Sequence, residues 1–116
     1  MSEIYSNILT GLKKVNGVKM TALGSRDGFL ISKSESDESE TMTRMAAALI
    51  RGAETAANKI DKVSLNRVIV DFNDRKLIAA SAGPKAVISV MATQDARLDP
   101  IISELDRTVE RIRDII

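Results

Sequence analysis

The sequence predicts an α+β domain: a five-stranded antiparallel sheet with one long helix on one face and two terminal helices on the other. Three observations carry this expectation. Residues 2–15, 39–61 and 98–115 each space their apolar side chains three or four apart, the helical period. The segments 76–82 (KLIAASA) and 86–92 (AVISVMA) are apolar at nearly every position, so both of their faces must be covered. The joints Asn73-Asp74-Arg75 and Gly83-Pro84-Lys85 are too short for a parallel crossover and make antiparallel hairpins.

Taken in order, the first helix carries Ile4, Ile8, Leu12 and Val15 on one stripe, widened by Tyr5 and Leu9, and Gly17 ends it. Residues 18–24 and 29–33 read as two strands joined by Ser25-Arg26-Asp27-Gly28, with Asp-Gly as the turn signal. The acidic segment 34–40 (SESDESE) lacks the spacing and central Gly of a calcium-binding EF-hand loop. It reads instead as a surface loop entering a helix, with Asp37 as cap and Glu40 completing a capping box.

The long helix over 39–61 places Met42, Met45, Ala46, Leu49, Ile50, Ala53, Ala56, Ala57 and Ile60 on nearly half its circumference. Thr43, Arg44, Arg51, Glu54, Thr55 and Asn58 hold the other side. That apolar arc is broader than contact with one surface needs. Within it, RMAAALIRGAETAA (44–57) holds six alanines and one glycine. Helix propensity alone would favour alanine; close approach of two surfaces is the second explanation.

Three strands follow, at about 65–72, 76–82 and 86–92. Alternation puts Leu77 and Ala79 on one face and Ile78 and Ala80 on the other; Val87 and Met91 likewise oppose Ile88 and Val90. In the last helix Asp99 is the expected cap and Pro100 the first helical residue. Leu98, Ile101, Ile102, Leu105, Val109, Ile112 and Ile116 form its stripe, while Asp106, Arg107, Glu110, Arg111 and Arg113 face water. The stripe lasts under three heptads, which suits a helix on a sheet better than a coiled coil.

Composition narrows the function. The 116 residues contain neither Cys nor His. That excludes disulfides, thiol catalysis, haem ligation and histidine-based metal or general-base chemistry. A chain of this length buries roughly two-thirds of its unfolded surface and needs no covalent staple. Charges nearly cancel, at 17 basic and 16 acidic residues, and Tyr5, Phe29 and Phe72 are the only aromatics, so nucleic-acid binding has little support. Residues 1–16 lack the layout of a secretory signal, and no apolar run approaches the roughly 20 residues of a membrane span. The expectation is one cytoplasmic domain over 1–116. There is no GxxxxGK[ST] loop and no GxGxxG fingerprint. Ser-Lys or paired-carboxylate chemistry stays open by composition, but no acidic pair lies on an evident cleft, and Ser81, Ser89 and Thr93 read as small packing residues. No catalytic residue, cofactor or metal is expected.

The ordered strings VNGVKMTALGSRDGFLISKS (15–34), MTRMAAALIRGAETAANKI (42–60) and VIVDFNDRKLIAASAGPKAVISVMA (68–92), followed by the amphipathic last helix, resemble the Roadblock family over about residues 8–115. That family is named from a dynein light chain and includes bacterial and archaeal partners of small GTPases. Asp99-Pro100 departs from the Gly or apolar residue more usual at the start of the last helix. The resemblance implies a profilin-like sandwich and a homodimer, or a heterodimer with a paralogous Roadblock chain. It implies that the long helix packs on its copy across a two-fold axis, and that the third strand pairs with the partner's to make one ten-stranded sheet. The interface would then hold Met42, Met45, Ala46, Leu49, Ala53 and Ala56 of the helix, with Asn66, Val68 and Val70 of the strand. An apolar strand such as LNRVIVDF would invite aggregation if its edge stayed uncovered.

The resemblance further implies a non-enzymatic module that binds a small Ras-like GTPase as regulator or scaffold. Arg44 and Arg51, on the polar side of the long helix, are the candidates for GTPase contact, although ordinary solvated charge is the favoured explanation for them. A small-molecule sensor, a general scaffold domain of a larger complex, or a weak hydrolase are the alternatives. The sensor has few aromatics and no convergent polar set to support it.

Overall fold

The computed structural model describes residues 2–61 and 63–116. The elements run α1 (Ser2–Lys13), β1 (Val18–Ser25), α2 (Ser39–Ile60), β2 (Val68–Asp71), β3 (Arg75–Ala82), β4 (Ala86–Thr93) and α3 (Leu98–Ile115). Among the described residues the sheet has four strands in the order β1-β4-β3-β2, all antiparallel. α2 covers one face; α1 and α3 cover the other.

The alternation expected from the sequence holds on both faces. Ile78, Ala80, Ile88 and Val90 join Leu9 and Leu12 of α1 and Ile101, Leu105 and Ile112 of α3 in the larger cluster. Leu77 and Met91 pack with Met42, while Ala79 and Val87 pack with Ala46 and Ile50. β4 is buried at every position but its last, because it lies inside the sheet between two helical layers.

The fifth strand is absent among the described residues. Only one isolated bridge, Gly24 to Leu30, represents the expected strand over 29–33. Side chains take over the pairing of β1 at that point. The Leu23 N–H donates to Ser32 Oγ at 3.0 Å, and the Thr21 N–H donates to Glu35 Oε1 at 3.3 Å. Lys13 Nζ holds the same Glu35 carboxylate at 2.6 Å. The segment still closes the sheet edge, with Leu30 against the α2-side cluster and Ile31 against the opposite one. Hydroxyl and carboxylate oxygens serve β1 as acceptors where a strand would have offered carbonyls.

Three boundaries also differ. β2 begins at Val68 rather than near 65, because Leu65 is drawn against the cluster under α2 and Arg67 Nη2 donates to both carboxylate oxygens of Asp106 on α3. Asp37 does not cap α2. The N-cap is Glu38, with no side-chain cap bond, and the buried Ser39 Oγ instead accepts the N–H groups of Glu35 and Ser36 at 3.0 and 3.2 Å. Asp99 lies inside the first turn of α3, behind an N-cap at Arg97, where its charge still suits the helix dipole. The Asp-Gly turn forms as expected, with Gly28 at φ +96°.

Candidate functional site: the outer arc of the long helix and the free sheet edge

The small residues of α2 divide into two sets that the sequence alone could not separate. Ala46 and Ala47 are sealed against the protein's own sheet together with Met42, Thr43 and Ile50. Thr43 lies so close to Gly24 that a Cβ added to that glycine would overlap its methyl. On the far side, Met45 is 38% exposed, Ala48, Gly52 and Ala56 are exposed, and Leu49 and Ala53 are half-buried. A Cβ placed on Gly52 would meet nothing within 4 Å. These positions recur every three or four residues, forming a shallow strip along the helix.

Beside this strip lies the edge of the sheet. β2 pairs with β3 alone, so one side of its backbone has no strand partner among the described residues. Val68 and Val70 stand opposite Ala79 and Leu77, on the α2 face, and both remain half-buried. Phe72, 39% exposed, follows at the end of the strand. Asp74 and Arg75 close the turn with two hydrogen bonds of 3.1 and 2.9 Å. The bond from Arg75 holds the Asp74 carboxyl below its ordinary range, and the bond to Asp74 raises the Arg75 guanidinium.

The structure thus gathers Met45, Leu49, Ala53, Ala56, Val68 and Val70 on one flank. Asn66 is exposed in the connection leading into β2. Met42 and Ala46 are corrections to the expected interface: at 1% and 0% exposure their side chains are already covered by the chain's own core. Ala48, Gly52 and Phe72 supply exposed surface there that sequence reasoning missed, while the exposed Ile69, paired with Ile78, lies on the opposite face of the same edge strand. Their signal was the period itself, which marks an apolar arc without marking which part of it is covered.

Arg44 and Arg51 lie on the opposite flank of α2, toward β1. Arg51 Nη1 donates to the Arg26 carbonyl at 2.7 Å. Arg26 in turn donates to Ser81 Oγ at 2.8 Å and pairs with Glu54. The Arg44 stem runs past Gly28, and its guanidinium makes no ion pair among the described residues.

Other features bear on chemistry. No group of three or more Asp or Glu side chains is gathered as a metal site among the described residues. No helix among them is long and apolar enough to cross a membrane. A hollow of about 320 Å³ between the α1–β1 and β4–α3 connections is lined by Asn16, Gly17, Thr93, Asp95, Ala96, Arg97 and Pro100. It lacks the aromatic and aliphatic walls typical of small-ligand pockets.

The chain is thus an α+β sandwich that sets an apolar helix arc beside an unpaired edge strand. Residues 5–92 match the Roadblock/LC7 domain family, and the chain belongs to it. Domains of this family are generally interaction and regulatory modules, not enzymes. The fold is similar to a Roadblock/LC7 domain from Streptomyces avermitilis, at 20% identity and TM-score 0.85, covering 99% of this chain and 96% of that one. It is similar to the gliding protein MglB from Thermus thermophilus, at 16% identity and TM-score 0.85, covering 98% and 89%. MglC from Myxococcus xanthus aligns over 100% of both chains at 16% identity and TM-score 0.66. No curated protein sequence matches the chain.

Proposed function

We propose that this protein is a non-enzymatic homodimeric module that binds a small Ras-like GTPase and regulates or scaffolds it. The observation that carries the self-association is the juxtaposition of the exposed Met45–Ala56 arc with the unpaired edge of β2. A two-fold axis beside β2 lets α2 meet its copy while the two β2 strands pair, an isologous contact. Gly52 and the exposed alanines allow close backbone approach, and Met45 fills irregular gaps. Two four-stranded sheets joined there make eight strands, not the ten that five-stranded protomers would give. One structure of an MglB protein is described as having a tetrameric arrangement, which supports self-association as a habit of this fold.

The GTPase partner is supported by family membership. Such a module needs no catalytic group: it acts by binding one switch conformation more tightly than another. An arginine finger in trans is the alternative mechanism. Arg44 is the freer candidate, since Arg51 is tied to the Arg26 carbonyl.

The first test is the solution mass across a dilution series, for the wild type and Ala56→Arg. A mass of twice the 12.6 kDa chain, lost in the variant while its far-ultraviolet spectrum is kept, supports the interface. A monomeric wild type overturns the homodimer. Nucleotide-dependent binding to purified small GTPases then tests the partner, and unchanged GTP hydrolysis with Arg44→Ala and Arg51→Ala would eliminate the finger.

A further inference from the structure

The remaining large exposed apolar side chains fall into groups. Met45, Ile69 and Phe72 border the β2 flank; Ile60 and Val63 lie at the end of α2; Ile4, Ile115 and Ile116 lie near the chain ends. Phe29 belongs to none of these and is 73% exposed. Its backbone is held on both sides. The Ser25 N–H donates to the Phe29 carbonyl at 2.8 Å, and the Phe29 N–H donates to Ser25 Oγ at 3.1 Å. The turn beneath is anchored to the rest of the fold at four points. The Arg26 N–H donates to the Lys85 carbonyl, the Arg26 side chain reaches Ser81 and Glu54, and Arg51 grips the Arg26 carbonyl. The ring therefore stands out from a turn whose main chain is already ordered.

An aromatic presented this way loses little conformational entropy on binding, which is how interface anchors concentrate affinity. Its surroundings are cationic. The side chains of Arg26, Arg44 and Arg51 lie at the turn and the exposed Lys85 adjoins it through its backbone carbonyl, against the carboxylates of Asp27 and Glu54. The patch lies on the β1 flank of α2, away from β2, so a dimer formed through the β2 edge leaves one copy free on each protomer.

We propose that Phe29 is the anchor of the partner-binding surface, inserting into an apolar pocket rimmed by carboxylates on the GTPase, with Arg44 and Lys85 meeting the rim. This rests on the GTPase reading above and adds to it the place and chemistry of contact. A protein pocket suits the patch better than a lipid surface: there is one ring, held rigidly, and carboxylates are interspersed among its cations.

The test uses purified small Ras-like GTPases from the same source, loaded with GDP or a non-hydrolysable GTP analogue, and titrated calorimetrically with wild type, Phe29→Ala, Phe29→Trp and Arg44→Ala. The expected result is a loss of about tenfold or more for Phe29→Ala, in the range of interface anchors. Phe29→Trp retains binding. Arg44→Ala weakens it and flattens its salt dependence. All variants keep the wild-type melting temperature, because neither side chain is buried. Undiminished binding by Phe29→Ala overturns the anchor and leaves the GTPase reading standing. Absence of binding by the wild type to every GTPase overturns that reading and the anchor with it. A drop of Phe29→Ala to monomer mass would assign the ring to self-association, and Phe29-dependent binding to phosphatidylserine vesicles would assign it to lipid; either overturns the proposal.

Discussion

Replacing Gly24 by Ala probes how closely α2 lies on the sheet. The added Cβ would overlap Thr43 Cγ2, lie 3.4 Å from Thr43 Cβ, and lie 3.0 Å from the Phe29 carbonyl oxygen. Neither neighbour yields easily. Thr43 is β-branched, 2% exposed and fixed on a helix, and the carbonyl belongs to the hydrogen-bonded turn. Overpacking of this kind costs about 1–3 kcal/mol, and the tight surroundings place it in the upper half of that range. The stiffer unfolded chain returns about 0.4–1 kcal/mol. A net loss of about 1–2.5 kcal/mol remains, which lowers the melting temperature by about 4–10 °C for a domain of this size. Urea unfolding at fixed protein concentration checks it through the midpoint at constant slope. Thr43→Ser removes the clashing methyl, so the double variant should be less destabilised than the two single changes added together. Gly52→Ala is the control within the protomer, measured on the Ala56→Arg background because Gly52 lies on the proposed dimer interface: a Cβ there meets nothing of its own chain within 4 Å and adds helix propensity. An unchanged midpoint for Gly24→Ala, or strict additivity with Thr43→Ser, would refute the close approach.

Ser32→Ala leaves the buried Leu23 N–H without its side-chain acceptor, at a cost of about 1–3 kcal/mol, and hydrogen exchange at the Leu23 amide should accelerate. Unaltered exchange would mean that the hydroxyl is not what closes the β1 edge. Ala53→Leu enlarges a half-buried position between the sheet and the outer arc; a rise in the dimer dissociation constant is expected, and a loss of stability with unchanged association would return Ala53 to the protomer core. The Asp74 carboxyl, lowered by its hydrogen bond from Arg75, should titrate higher in Arg75→Ala when followed by NMR. Because its folded value is depressed, its contribution to stability is present above the ordinary carboxylate range and lost as pH falls through the lowered value. The pair is fully exposed, so the melting temperature should hardly register it.

Much of the candidate interface was legible because periodicity is a local property. The spacing of Met45, Leu49, Ala53 and Ala56 marks an apolar arc wherever the helix sits, and the short joints force β2, β3 and β4 to be antiparallel. The Phe29 patch was not legible as such. Exposure of a ring depends on what the chain places above it, and its cations come from the turn, from α2 and from the β3–β4 connection.

The sequence by itself determined the three helices, the doubly covered strands and the parity that sends Leu77 to one layer and Ile78 to the other, since each follows from the repeat of a single element. Tertiary structure decided the rest. It decided that 29–33 contributes one bridge instead of a strand, because Ser32 and Glu35 compete for the same N–H groups. It decided that Ser39 ties down the loop into α2 in place of Asp37. It also decided the rotation of α2 about its axis, which buries Met42 and Ala46 and leaves Ala48 and Gly52 outside. A broad apolar arc permits several rotations; contact of Thr43 with Gly24 and of Ile50 with the sheet selects one.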